Sequence, residues 1–127
     1  MRDFVLNMVP IKRRARFNKV TGIPYTPEQT VREEEAVAKA YKGEKHLGAV
    51  RLEIHVLRAL PASKPKGVKS EPDIIKPDLD NVIKAVMDGL NGVAYIDDSQ
   101  VTEIHAYKHD RIRKPGDSIR FRVSEVD

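Results

Sequence analysis

Residues 76–101 read KPDLDNVIKAVMDGLNGVAYIDDSQV. Leu79, Val82, Ile83, Val86, Met87 and Leu90 recur at the i, i+3, i+4, i+7 spacing of one helix face. The stretch therefore predicts an amphipathic helix starting around Asp78 to Asp80, with its apolar stripe in a core. Asn91-Gly92 stops it. Carboxylates bracket the helix, with Asp78 and Asp80 at its start and Asp97 and Asp98 beyond its end.

Upstream, residues 61–77 (PASKPKGVKSEPDIIKP) form a polar loop, basic at its start and too rich in proline for a central strand. Before it, residues 49–60 alternate, with Val50, Leu52, Ile54 and Val56 on one face and Arg51, Glu53 and His55 on the other. Thr26-Pro27-Glu28-Gln29 predicts another helix start, with Thr26 capping and Gln29 reaching back; that helix runs to about Lys42. Its middle, Arg32 to Glu35, predicts a solvated outer face. Residues 3–9 alternate as a first strand, and residues 100–108 and 118–125 predict two last strands around a turn with Pro115 and Gly116. In the final strand Ile119, Phe121 and Val123 face one way and Arg120 and Arg122 the other. The order β-α-β-α-β-β predicts a single α+β domain over residues 1–127, a small mixed sheet of about four strands with two helices.

The chain has 127 residues, 40% of them hydrophobic, which suffices for one compact core. A net charge of +4 and a pI near 9.4 point to a polyanionic partner or to a plain basic surface. The basic residues concentrate in residues 10–25, where Lys12, Arg13, Arg14, Arg16 and Lys19 occur without one acid, beside Phe17 and Tyr25. The absence of cysteine excludes disulfides, thiolate metal sites and thiol catalysis, and fits a reducing cytoplasm. No segment has the length of a membrane span, and MRDFVLNMVP is too short an apolar run for a signal peptide.

The acids have two explanations. Asp78 and Asp80 suit a helix N-terminus, and Asp97 and Asp98 suit a turn. Alternatively they converge. The helix is roughly 18 Å long at 1.5 Å per residue. Residues 93–98, at about 3.3 Å each, can cover the return and set Asp98 beside Asp78 and Asp80. Three carboxylates without a thiolate suit Mg²⁺ or Mn²⁺, which can activate water at a phosphodiester. Lys84, one turn after Asp80, serves either as a surface ion-pair partner or as an ammonium beside the scissile phosphate. Asp88 is expected to be solvated. His46, His55, His105 and His109 show no ligand spacing and are expected to be structural or exposed.

The run Asp78-Leu79-Asp80-Asn81, then Lys84, then Asp88-Gly89-Leu90-Asn91-Gly92, then Asp97-Asp98-Ser99-Gln100-Val101 resembles the RusA-type Holliday junction resolvases. The basic loop before Tyr25-Thr26-Pro27 is similar as well. The resemblance implies a dimeric, Mg²⁺-dependent endonuclease that cuts four-way DNA junctions symmetrically, cytoplasmic and bacterial or prophage-encoded. It implies catalytic roles for Asp78, Asp80, Asp98 and Lys84. Metal would be held by Asp78, Asp80 and Asp98, with Asp97 an alternate ligand or one step removed. DNA contacts would come from Lys12, Arg13, Arg14, Arg16, Lys19 and Lys76, with the 64–69 lysines and the Arg120/Arg122 face in support. The segment from Glu71 to Lys76 is less basic than the most basic family pattern. The rival functions are a nuclease for flaps or forks, and a nucleic-acid-binding protein whose acids only cap and turn.

Overall fold

In the computed structural model, which describes residues 3–126, the chain runs β1 (Phe4–Leu6), β2 (Arg16–Phe17), β3 (Pro24–Tyr25), α1 (Glu28–Ala40), β4 (Val50–Leu57), β5 (Ser70–Glu71), α2 (Leu79–Leu90), a single 3-10 turn (Asp98–Gln100), β6 (Val101–Lys108), β7 (Arg111–Ile112) and β8 (Ser118–Glu125). The α+β class and both helices agree with the sequence expectation. The two short pairs β2–β3 and β5–β7 are additional.

The main sheet has the order β1-β8-β4-β6. β8 pairs antiparallel with β1 and β4, whereas β4 and β6 are parallel. A parallel pair cannot be joined by a hairpin, and the crossover carries α2. That crossover lays the stripe of α2 on the sheet. Val82, Val86 and Leu90 are fully buried, with Leu79, Ile83 and Met87 packed at the margin. They meet Val50, Leu52, Ile54 and Val56 of β4 and Ile119, Phe121 and Val123 of β8, as alternation requires. α1 packs alongside α2, most tightly at Gly89, where a Cβ would lie 2.8 Å from Val37 Cβ and 2.9 Å from the Glu34 carbonyl. The other face of the sheet carries charge and aromatic rings: Arg51, Glu53 and His55 of β4, Glu103 and Tyr107 of β6, and Arg120 and Arg122 of β8.

The ends of elements depart from the sequence expectation. α1 begins at Glu28, with Pro27 as its N-cap and no side-chain cap. The Pro27 carbonyl accepts the Val31 N–H, so Thr26 lies one residue too far out to cap, and Gln29 donates to Glu33 instead. The helix stops at Ala40 rather than Lys42, because Tyr41 turns extended and sets its ring 4.9 Å from that of Phe4 in the core. β1 covers only Phe4–Leu6, since beyond Leu6 the chain leaves β8 and bends toward α1.

That bend produces the largest correction. Glu33, expected on a solvated face, is buried. Its carboxylate accepts from both terminal nitrogens of the Arg13 guanidinium, at 3.0 and 3.1 Å, and from the Ile11 N–H at 2.9 Å. The proline-rich loop after β4 is tied down by Arg113, which donates to the carbonyls of Lys64, Pro65 and Val68. Lys64 itself pairs with Glu71.

Candidate active site

Asp78 is the N-cap of α2 in extended conformation, yet its side chain makes no cap hydrogen bond. Its carboxylate is exposed and not spent on the helix. Asp80, in the first turn, is also exposed, with Lys84 Nζ 3.9 Å away. Both members of that pair are more than half exposed, so water screens it and its contribution to stability is small. The positive end of the helix favours the two acids. Asp78, Asp80 and Lys84 thus occupy one end of α2 with their charged groups open to solvent.

The acids after the helix behave differently. Asp97 caps the 3-10 turn, where its Oδ2 accepts the Ser99 N–H at 3.1 Å. That hydrogen bond holds the Asp97 carboxyl below the usual carboxylate range. The Gln100 side chain closes the box by accepting the N–H groups of Ile96 and Asp97. Asp97 is therefore engaged in local folding. Asp98 follows, half-buried at the start of the turn.

The two groups of acids lie toward opposite ends of the sheet. Lys108, the last residue of β6, reaches the carbonyls of Ile75 and Pro77 just ahead of α2, whereas Asp98 stands just before the first residue of β6. The strand between spans roughly 23 Å at about 3.3 Å per step. The chain after Gly92 (φ 80°) does not run back along the helix. Ala94 and Tyr95 enter the core there, and the Tyr95 hydroxyl donates to the Met87 carbonyl at 2.8 Å. Burial pushes the Tyr95 hydroxyl well above its ordinary pKa, and the charges of Asp98, Asp88 and Asp97 add to that. Among the described residues, no group of three or more His, Asp or Glu side chains is gathered closely enough to hold a metal. The chain places Asp78, Asp80 and Lys84 toward one end of α2 and leaves Asp98 at the other end of the helix.

The basic loop divides into two parts. Lys12 pairs with Asp88 at 2.8 Å and with Glu34 at 3.4 Å, so Asp88 is not simply solvated. The hydrogen bond to Asp88 raises the Lys12 pKa. The Lys12 N–H also donates to the Asn81 carbonyl, which fastens the loop across the start of α2. With Arg13 held by Glu33, these two half-buried cations fix the loop to the helices. Arg14, Arg16 and Lys19 remain exposed, as does Lys76. Phe17 projects from the β2–β3 hairpin with about two thirds of its surface exposed. Arg120 and Arg122 both lie against Asp3.

Two groupings had no signal in the sequence. Lys108, Asp73 and Arg58 surround the segment before Asp78, which only the register of β6 against β4 reveals. His55 and His109, far apart in the chain, stack with a ring-nitrogen contact of 2.7 Å, and Glu53 holds the other nitrogen of His55. Burial and the neighbouring His55 and Arg120 charges lower the His109 pKa.

Among the described residues no helix is long and apolar enough to cross a membrane. A Bacillus subtilis (strain 168) protein described as "Uncharacterized protein YqaN" is 39% identical over 69 residues, 48% of this chain and 49% of that protein. The shared stretch thus spans about half the length of that relative. The family profile of endodeoxyribonuclease RusA matches residues 7–122, a span that holds all four acids, Lys84 and the basic loop. The chain belongs to the RusA endodeoxyribonuclease family.

Proposed function

We propose that this protein is a Mg²⁺-dependent endonuclease that resolves four-way DNA junctions as a homodimer, in recombination and repair. The observation that carries the reading is the pair of unspent, exposed carboxylates, Asp78 and Asp80, at the start of α2 inside the family match. An acid present only for capping would be hydrogen-bonded to the helix, and Asp78 is not.

The donor set fits a hard cation. Mg²⁺ keeps most of its waters and takes one or two carboxylates together with substrate phosphate oxygens, a role open to Asp78 and Asp80. Mn²⁺ accepts the same donors. Such an ion supplies an activated water and offsets charge on the phosphodiester. The protein's own groups do the rest. Lys84 presents an ammonium one helical turn from Asp80, where it offsets charge developing on the phosphate. Arg14, Arg16, Lys19 and Lys76 hold backbone phosphates, which position DNA without reading its sequence. Phe17 offers a flat apolar face to an unpaired base at the crossover.

The distance between the two groups of acids gives the dimer a chemical role. A two-fold partner laid antiparallel along β6 would bring its own Asp98 toward Asp78 and Asp80, and receive Asp98 in return. Two sites then arise together, one for each of two symmetry-related strands.

The test is cleavage of a synthetic four-way junction beside a duplex, a fork and a flap, with Mg²⁺ or with EDTA. Paired, Mg²⁺-dependent nicks in the junction alone are expected. Preferential cutting of forks or flaps would move the reading to branched DNA in general, and no cutting at all would leave a nucleic-acid-binding protein.

The division of the basic loop makes a contrasting pair of expectations. Replacing Arg14, Arg16 and Lys19 with Ala should lower the slope of log affinity against log salt by about 0.9 for each phosphate no longer neutralised, with thermal stability unchanged. Arg13→Ala should instead cost about 3 kcal/mol of unfolding free energy, because it leaves the buried Glu33 carboxylate without its counter-ion. Binding titrations and urea unfolding read the two separately. A stable Arg13→Ala protein with weakened DNA binding would return Arg13 to the DNA path.

A further inference from the structure

Three backbone carbonyls in succession, those of Ile75, Lys76 and Pro77, are each held by a cation from the sheet. Lys108 Nζ donates to the Ile75 oxygen at 2.7 Å and to the Pro77 oxygen at 3.1 Å. Arg58 Nη1 donates to the Lys76 oxygen at 2.9 Å. The next residue is Asp78. The segment belongs to neither helix nor strand, so no ladder or helical hydrogen bonds would otherwise hold it.

Beneath it lies Asp73. Its side chain is fully buried, and neither carboxylate oxygen has a hydrogen-bond partner among the described residues. The cation beside it is Lys108 Nζ, at 3.7 Å. A buried carboxylate without hydrogen bonds is costly unless an opposite charge lies beside it. Here it faces an ammonium with three protons, two of them committed to carbonyls. Asp73 sets a counter-charge 3.7 Å from that ammonium at the end of β6, beside the segment that delivers Asp78.

We propose that Lys108 is a positioning residue for Asp78, that Asp73 is its buried counter-charge, and that Arg58 completes the grip. This rests on the catalytic role proposed for Asp78. In this role Lys108 acts through the backbone before Asp78; it fixes where the Asp78 carboxylate stands relative to the sheet. Misplacement by about 1 Å of a group at the reacting centre can lower turnover on the order of a hundredfold, so a grip on the adjacent carbonyls has a catalytic consequence.

The experiment compares Lys108→Met, the double variant Lys108→Met/Asp73→Asn, Lys108→Arg and Asp78→Asn in the intact protein. The double variant removes the buried charge that the single one would strand, so it folds where the single one fails. Three quantities are read: junction affinity, the Mg²⁺ concentration for half-maximal cutting, and hydrogen exchange of the amides at 74–79. For the double variant, affinity within about twofold of wild type is expected, with a Mg²⁺ requirement raised several-fold, turnover down at least about tenfold, and faster exchange confined to 74–79. Lys108→Arg should restore part of the turnover, since it still donates to carbonyls. A purely structural role would lower the melting temperature and leave the Mg²⁺ requirement alone. If the double variant cuts like wild type across Mg²⁺ concentrations while Asp78→Asn is inactive, the positioning role is wrong and the site reading stands. If Asp78→Asn itself cuts normally, the site reading has failed and takes this proposal with it.

Discussion

The Asp80→Asn protein will bind a four-way junction and fail to cut it. The substitution keeps the shape of the side chain and removes one negative charge from an exposed position at the start of α2. Stability should barely change, because the ion pair removed is the screened one with Lys84 at 3.9 Å. Affinity for DNA should hold or rise, since a charge facing phosphates has gone. Turnover at saturating Mg²⁺ should fall by at least about a hundredfold, the scale on which removal of a preorganised group that stabilises transition-state charge acts. Asp78→Asn should behave the same way. Single-turnover cutting of a labelled junction, beside a melting curve and a binding isotherm, checks all three expectations. Cutting by the Asp80→Asn protein near the wild-type rate would remove Asp80 from the site.

Mixed dimers of two dead subunits should recover activity. If each site takes Asp78 and Asp80 from one subunit and Asp98 from the other, a dimer of Asp80→Asn with Asp98→Asn contains one doubly damaged site and one intact site. Co-expression under two affinity tags isolates that mixed species. It should nick junctions at about half the wild-type rate per dimer and lose paired resolution, because only one of two symmetric sites works. Each homodimer should be inactive. A mixed dimer no better than its parents would show that Asp98 serves the site of its own chain or none, and the separation of the acids along β6 would then have no functional meaning.

The sequence carried the core well, because burial imposes a period that local residues report. The stripe of α2 and the alternation of β4 and β8 were legible for that reason. Glu33 was not, because a run of acids looks the same whether it faces water or a guanidinium some twenty residues upstream. The placement of Asp98 failed for a different reason. Contour length bounds how far residues 93–98 can reach and says nothing of direction. Direction came from Ala94 and Tyr95, which are drawn into the core at the far end of α2. A helix between two parallel strands must run back against them, so residues just before and just after it lie at opposite sheet ends. Recognising β4 and β6 as a parallel pair would have separated the acids from the outset.

The arm formed by residues 14–25 has one further consequence. Its root is fastened through Arg13 to Glu33 and through Lys12 to Asp88, and its two strands, β2 and β3, pair with one another. A slack peptide of that length would surrender about 1–2 kcal/mol of backbone freedom per residue on settling against DNA. This arm has given up much of that freedom already, when the chain folded. If Arg14, Arg16, Lys19 and Phe17 bind DNA as proposed, their contacts would count more fully toward affinity, and the tip would meet each junction in the same attitude.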